Sequence, residues 1–476
     1  MVFKTRRHGV LVLWVTFCVY GICQLFLMTI QFRYENFRTQ ISSEMDEIDS
    51  SQNMTMDMGL KKTVNKTLPQ EIHPLLKKYH GFMRVDNITV EAQTFAFSAY
   101  IYNLGKQNVV RVIVLAMRQN SLDPTICQLY GTGNKKLPQS LSTTEGNVFY
   151  QDVSRQDIRE HHNKKYAAAY FTCNVPYNIK PAGVSLTTQR CENPSNFLPI
   201  QYPEKQKWQF TVCVTPLNFR YSKAYELVEM IEMNRILGAD HFVFYNYSTH
   251  VNVDKVLQYY IKMGLVEVVQ WHLPMRVDVW PKVKGHTTEI HYFGQLGALN
   301  DCLYRNRYKS QYLVYQDLDE FIFPYKHKNW SEMIGSLAQR SVYMFRNTFF
   351  RKDWNDTDEF FDGKDLAVKY KSTILLKTMR EAKIFGLRQR SKYIINPRKV
   401  DTVGIHNVWK ERSGSSLLNV PPDVALMHHY RNWENPHDKM KREDGLIALQ
   451  YKDELLGRLK KVWTTLKDVE LGPLGY

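Results

Sequence analysis

Glycine and proline are sparse, at 23 and 18 of 476 residues, which excludes a collagenous or low-complexity chain. No unit recurs at the roughly 20–50-residue periods of solenoids and propellers. The seven cysteines form no CxxC and no Cys/His zinc spacing, so structural zinc is not expected. Walker A, G-x-G-x-x-G and G-x-S-x-G sequences are missing, which argues against a P-loop kinase, a dinucleotide oxidoreductase and an α/β-hydrolase. Acid is in deficit, with 47 Asp and Glu against 63 Lys and Arg, for a formal charge of +16. That balance suits nucleic acid, an anionic membrane or acidic ligands, and compartment must choose among them. What is plentiful is apolar material: 44% hydrophobic and 13% aromatic residues exclude global disorder.

Long hydrophobic runs are also lacking, with one exception. Gly9 to Ile30 carries no charge and follows Lys4, Arg6 and Arg7. As a helix it would extend about 33 Å, close to the thickness of a hydrocarbon core. It is longer than a signal-peptide core and is followed by Gln31, Phe32, Arg33 and Tyr34 with no A-x-A cleavage pattern, so an uncleaved signal-anchor is expected. The basic tail places residues 1–8 in the cytosol. N-x-[ST] sequons at Asn53, Asn65, Asn87, Asn246, Asn329 and Asn355 all lie beyond the span, the first three in or near a polar stretch that reads as a glycosylated stem. The expectation is a single-pass type II protein of the Golgi membrane with its bulk in the lumen. Five cysteines would then be luminal, where disulfides persist. Five is odd, so at least one luminal thiol stays free or pairs between chains. Cys127 and Cys173 share one β-rich segment and are the expected pair; Cys213, inside an apolar strand pattern, reads as a buried thiol.

Residues 31–84 read as the stem. From Thr94 the chain becomes short, aromatic and β-branched runs separated by Gly, Asn, Asp and Pro, a mostly β module over residues 85–205 whose last stretch, from Tyr202 to Lys207, is a connector. From 206 to 476 the pattern changes again. FTVCVT at Phe210–Thr215, HFVFYN at His241–Asn246, LVEVVQW at Leu265–Trp271 and QYLVYQD at Gln311–Asp317 are strands. Helical spacing separates them at Ala224–Leu237, closed by Gly238, at Val253–Tyr260, ended near Gly264, and at Tyr292–Arg305. Alternation of this kind predicts an α/β fold with a parallel sheet, and ligands bind beyond the carboxyl ends of such strands.

The fourth strand ends in Asp317-Leu318-Asp319-Glu320, followed by the apolar FIFP. A bare D-x-D is common in solvated turns, but acids set between two buried runs are not a surface face. Hard oxygen donors there suit Mg²⁺ or Mn²⁺ bound jointly with a diphosphate. His406 in VGIHNVW and the His428-His429 pair before Tyr430-Arg431 are further possible ligands, although an isolated histidine is more often a core or surface residue. Imidazole beside carboxylate favours Mn²⁺. Arg431 suits bidentate phosphate contact. Arg388, Arg390 and Lys392 either neutralise a leaving diphosphate or form an exposed charged strand edge. Paired carboxylates far apart in sequence leave a glycosidase open, although acids after a parallel strand fit metal–nucleotide binding better.

With FSAYIYN, VVRVIVLAMR, FTVCVTPLNFRYS, ELVEMIEMNRILGADHFVFYN, QLGALNDCLYR, YQDLDEFIFP, KYIINPRKV, GIHNVW and HHYR in this order, residues 95–435 resemble glycosyltransferase family 92. The resemblance implies a GT-A type nucleotide-sugar-binding fold, an inverting reaction, Mn²⁺ and a UDP-sugar donor, UDP-galactose in known members. Asp317 and Asp319 match the family's D-x-D; His429 and His406 match its late histidines, His429 being favoured for the metal. Thr215, Pro216 and Asn218, after the first strand, match the nucleoside side, and Asn246 falls near it. The expected donor-binding set is therefore Thr215, Pro216, Asn218, Asn246, Asp317, Arg388 and Arg431, and the metal set Asp317, Asp319, His429 and His406.

In such a transfer, charge develops on the diphosphate, and the acceptor hydroxyl needs a carboxylate as general base. Asp353, Asp358 and Glu381 are the candidate acids, and Asp353 and Glu381 are the expected catalytic ones. Expected partners are a nucleotide sugar, a glycoprotein or oligosaccharide acceptor, and the membrane through residues 9–30. A rival reading is a catalytically inactive, lectin-like membrane protein that holds a glycan without transfer. Nucleic-acid binding would need a cytosolic or nuclear address, which the anchor contradicts.

Overall fold

The computed structural model describes residues 81–85, 93–105, 107–118, 123–133, 148–432 and 440–474. The expected tail, membrane span and nearly all of the stem lie outside them. No helix among the described residues is long and apolar enough to cross a membrane.

The β module is built from β1 (Met83–Arg84), β2 (Thr94–Leu104), β3 (Gln107–Met117), β4 (Ile126–Gly133), β5 (Val148–Asp157), β6 (Tyr166–Asn174), β7 (Ile179–Thr187) and β8 (Leu198–Gln201). Their order is β1-β2-β3-β6-β5-β4-β7-β8, and β8 returns to β2 in parallel, so the sheet closes on itself. Side chains alternate across each strand. Ala99, Ile101, Val110, Val112, Val114, Leu129, Phe171 and Leu186 fill the module's interior. Cys127 and Cys173, also buried there, are disulfide-bonded as expected. The opposite faces of β2, β3 and β6 are apolar as well: Tyr100, Tyr102, Ile113, Leu115 and Tyr170 belong to a core shared with the rest of the chain.

After the connector, which carries no regular structure, come β9 (Trp208–Cys213), α1 (Ala224–Leu237), β10 (His241–Asn246), α2 (Val251–Lys262), β11 (Val266–Gln270), α3 (Gln295–Asn306) and β12 (Ser310–Tyr315). β11-β10-β9-β12 are mutually parallel. Both faces are covered, which is why their sequences are continuous apolar runs. Phe210, Val212, Phe242, Phe244, Tyr312 and Val314 face α1 and α2; Cys213, Val243, Tyr245, Leu313 and Tyr315 face α3 and the module. Helix α1 stops at Gly238, whose φ of 115° only glycine takes without strain; its N–H donates to the Arg235 carbonyl and the Ala239 N–H to that of Asn234. Cys213 is not a thiol: it is bonded to Cys302 on α3, and only Cys191 is free among the described cysteines.

The chain continues through β13 (Glu320–Pro324), β14 (Val342–Phe345), β15 (Asn347–Arg351), β16 (Met379–Glu381), β17 (Lys392–Ile395), β18 (Val400–Val403), β19 (Val408–Glu411), β20 (Leu417–Asn419) and β21 (Ala425–Arg431). β17, β14 and β20 extend the first sheet beside β12, with β17 antiparallel to it. β13, β21, β15 and β16 belong to a second sheet. The acidic turn is therefore the crossing point: the chain leaves the first sheet at Tyr315 and enters the second at Glu320.

The module is fastened to α3 by buried polar groups as well as apolar ones. Asp301, wholly buried, accepts from Tyr100 Oη at 2.6 Å, Tyr245 Oη at 2.7 Å, Arg305 Nε at 2.9 Å and Ser98 Oγ at 2.5 Å. Arg111 on β3 pairs with Asp401 at 3.1 Å and lies over the Tyr170 ring. Removing one partner of a pair this deep leaves the other charge uncompensated, so these contacts favour the docked arrangement over separation of the module.

Candidate active site

β9 and β12 end side by side, and that neighbourhood organises the acids. Thr215 Oγ1 donates to Asp317 Oδ1 at 2.7 Å, and Lys392 Nζ, at the start of β17, donates to Asp317 Oδ2 at 2.8 Å. Lys392 also pairs with Glu320 at 3.0 Å, while Glu320 accepts from the Asp317 N–H at 2.8 Å. The turn 317–320 is thus tied to the sheet by one ammonium. Lys392 is 3% exposed, so it is a buried counter-ion and not an exposed edge charge.

Antiparallel pairing of β13 with β21 sets Glu320 opposite His429. The imidazole lies between two acids, Nδ1 at 3.3 Å from Glu320 and Nε2 at 3.6 Å from Asp319. The neighbouring His428 points the other way, wholly buried, its Nε2 2.8 Å from Tyr325 Oη. Strand alternation thus separates the two histidines: His429 faces the acids and His428 belongs to the core.

The electrostatics follow from burial and neighbours. Burial alone would raise Asp317, but Lys392 and Thr215 outweigh it and hold its carboxyl below the ordinary range. Asp319 is half-buried, which would raise it too, but His429 and Lys352 hold it low. Glu320 moves up, because burial and the two neighbouring aspartates outweigh Lys392. Burial lowers His429, yet Asp319 and Glu320 reverse that and raise it. Burial and the nearby Lys392 push His406 down to about 4, which keeps it neutral.

A cleft of about 380 Å³ opens beside these groups, lined by Asp317, Glu320, His406, His429, Arg390 and Arg431, together with Glu160, His162, His291, Tyr292 and Gln295. Arg390 and Arg431 both lie over the Phe349 ring, at 5.3 and 5.4 Å, and give the cleft a basic rim. Asp319 is not among the lining residues; its carboxylate, 29% exposed, lies 3.6 Å from His429 Nε2.

Of the residues expected from sequence, Asp317, His429, His406 and Arg431 line the cleft, and Thr215 holds Asp317. Pro216 and Asn218 form the loop after β9, where Asn218 Nδ2 donates to the Pro216 carbonyl at 3.0 Å. Asn246, at the end of β10, donates to Thr249 Oγ1 at 2.9 Å. None of these three lines the cleft. Neither does Arg388, whose place is taken by Arg390 two residues on. Glu381 is wholly buried on β16. Asp353 is paired with Arg351 at 2.7 Å, and Asp358 is exposed outside the cleft. The structure therefore brings none of the expected general bases to the cleft. What sequence reasoning missed is the module's contribution, Glu160 and His162. No periodicity marks them, and only docking of the module carries them there.

Among the described residues no group of three or more His, Cys, Asp or Glu side chains is arranged to hold a metal ion, and His406 makes no ion pair with either aspartate. The donors that fit a divalent cation are the Asp319 carboxylate and the His429 imidazole, a two-point set that leaves coordination places for a ligand's oxygens.

Comparison with known proteins gives the family. The model of glycosyltransferase family 92 matches residues 209–468. The β-1,4-galactosyltransferase galt-1 of Caenorhabditis elegans is 24% identical over 418 residues, covering 83% of this chain and 86% of its own length. The galactan β-1,4-galactosyltransferase GALS1 of Arabidopsis thaliana is 24% identical over 346 residues, covering 69% of this chain and 65% of its own. Among solved structures, S. aureus TarS 1–349 aligns over 54% of this chain and 72% of its own at 9% identity, with a TM-score of 0.24, too low to support an argument about fold.

Proposed function

The chain belongs to glycosyltransferase family 92 and is a glycosyltransferase; from that premise we propose that it transfers galactose from UDP-galactose, with inversion, to a glycan acceptor, at the Golgi membrane with its catalytic part in the lumen. One observation carries the reading: a cleft at the carboxyl edge of the parallel strands whose walls combine Asp317, Glu320 and His429 with the basic side chains Arg390 and Arg431. The relatives' names as galactosyltransferases support the galactosyl donor, and the hydrophobic run at 9–30 with the sequons beyond it supports the luminal address.

The residues divide the work. Thr215 and Lys392 fix Asp317, and Lys392 with the Asp317 N–H fixes Glu320. Arg390 and Arg431 receive the diphosphate, whose negative charge grows as the sugar departs, and guanidinium groups suit phosphate oxygens. A divalent cation, with Mn²⁺ favoured by the mixed carboxylate and imidazole donors, would be held by Asp319 and His429 and would supply positive charge at the diphosphate. Glu320, 3.3 Å from the Nδ1 of His429, supplies negative charge beside the imidazole.

The test is transfer by purified protein from a panel of nucleotide sugars, with Asp319→Ala and His429→Ala beside the wild type. Both variants should fold and lose transfer, and added Mn²⁺ should raise the wild type alone. Wild-type transfer that is unchanged by chelator and by both substitutions would sink the cation site. Binding of glycan with no nucleotide released from any donor would favour the lectin-like alternative.

A further inference from the structure

The acids already assigned leave the acceptor side of the cleft without a base. Among the described residues three carboxylates line it: Asp317, Glu320 and Glu160. The first two are engaged by Lys392 and by each other's backbone or side chain. Glu160 belongs to the module, in the turn between β5 and β6. Its Oε2 accepts the Ile405 N–H at 2.8 Å, which fixes the carboxylate against the segment carrying His406. No ion pair engages it among the described residues.

How the turn reaches the cleft is visible in the backbone. The Tyr166 N–H donates to the Glu289 carbonyl at 2.9 Å, and Tyr166 pairs in parallel with Ile290, so the start of β6 is stitched to the segment just before α3. That stitch sets the His162 ring on the His291 ring, centroids 3.7 Å apart. Glu160, His162, Asn163, Tyr292 and Phe293 all have positive φ, between 38° and 68°. Five residues without glycine's freedom in that region, on two facing segments, mark backbone held in place by its surroundings, a pattern concentrated at functional sites.

We propose that Glu160 is the general base of the transfer, supplied to the transferase cleft by the β module. The inference rests on the proposed transfer reaction and adds the missing group to it. The acceptor hydroxyl gives its proton to the free oxygen of Glu160. The hydroxyl oxygen's electron pair forms the new bond to the anomeric carbon. The bond from that carbon to the diphosphate breaks, and its electron pair leaves with the diphosphate. Glu160 ends as the neutral acid and returns its proton to solvent. Burial raises the Glu160 carboxyl, partly offset by the Ile405 N–H, Trp409, His162 and Lys392, which makes it a stronger base than a surface glutamate.

The experiment compares full-length wild type with Glu160→Gln and Glu160→Ala, reading kcat and KM for transfer, UDP affinity by titration calorimetry, and rescue by added formate. Glu160→Gln should lose roughly a hundred- to ten-thousand-fold in kcat while UDP affinity stays within about twofold. Formate should restore part of the rate to Glu160→Ala, whose shortened side chain leaves room for it, and not to Glu160→Gln. An active wild type with Glu160→Gln retaining kcat within about threefold overturns the assignment and leaves the family reaction standing. Loss of UDP affinity in step with kcat, without rescue by formate, also overturns it, since a structural role would do that. A wild type that transfers no sugar from any donor overturns the reaction and the base together.

Discussion

Replacing Lys392 by methionine isolates the electrostatics of the acidic turn, because the side chain stays linear, one atom shorter and apolar, and loses its charge. In the wild type the ammonium sits 2.8 Å from Asp317 and 3.0 Å from Glu320, with itself and Glu320 at 3% and 1% exposure. Removing one partner of a buried ion pair leaves the other uncompensated and costs about 3–5 kcal/mol. Here the buried Glu320 is left uncompensated while Asp317, 32% exposed, is partly relieved by solvent, so the lower part of that range applies at neutral pH. The sign with pH follows from the shifts. Asp317 is depressed in the folded wild type, so its contribution is present above the unfolded carboxylate range and lost as pH falls through its folded value. Without Lys392 that contribution is gone, and Glu320, already raised, moves higher. The variant's deficit is therefore full near pH 7 and begins to shrink as pH falls through the raised Glu320 carboxyl, above the ordinary glutamate range, and it continues to shrink as Asp317 takes up its proton. Denaturant unfolding of both proteins at pH 7 and pH 4 measures it. A deficit below about 1 kcal/mol at pH 7, or one that stays constant on acidification, would refute the buried counter-ion.

Two further outcomes are expected. Asp301→Ala strips the acceptor shared by Ser98, Tyr100, Tyr245 and Arg305 and should destabilise by about 3–5 kcal/mol, loosening the module; faster proteolysis between residues 202 and 207, with loss of transfer, is the readout. Glu229, wholly buried and accepting from Ser372 Oγ and the Thr373 N–H, is pushed up to about 7 by its burial. A carboxyl raised on folding penalises the folded state once it ionises, so wild-type stability should fall by about 3 kcal/mol as pH rises from its unfolded value to above 7. Glu229→Gln should flatten that slope in unfolding titrations, and an unchanged slope would show that another group produces it.

The alternation of buried strands and amphipathic helices from Phe210 to Tyr315 was legible because a parallel sheet covered on both faces demands continuous apolar strands of that length. The end of β12 was legible for the same reason: acids cannot continue a buried strand, so Asp317 had to mark its exit. Gly238 and the Cys127–Cys173 pair were readable locally. Cys213 was not, since an apolar strand pattern looks alike whether its sulfur is a thiol or is bonded to Cys302 on a helix above the sheet. Lys392 illustrates the same limit. In sequence it is one basic residue after Arg388 and Arg390, and only its neighbours across β12 and the turn make it a buried counter-ion.

Sequence by itself thus determined the parallel strands, their carboxyl edge and the acids standing on it, because periodicity and burial are properties of short segments. Tertiary structure alone decided which of two adjacent histidines faces those acids, which arginine reaches the cleft, and that a turn of the β module closes it with Glu160. Those facts depend on strand register and on how two cores dock, and contacts between residues so distant along the chain leave no local pattern.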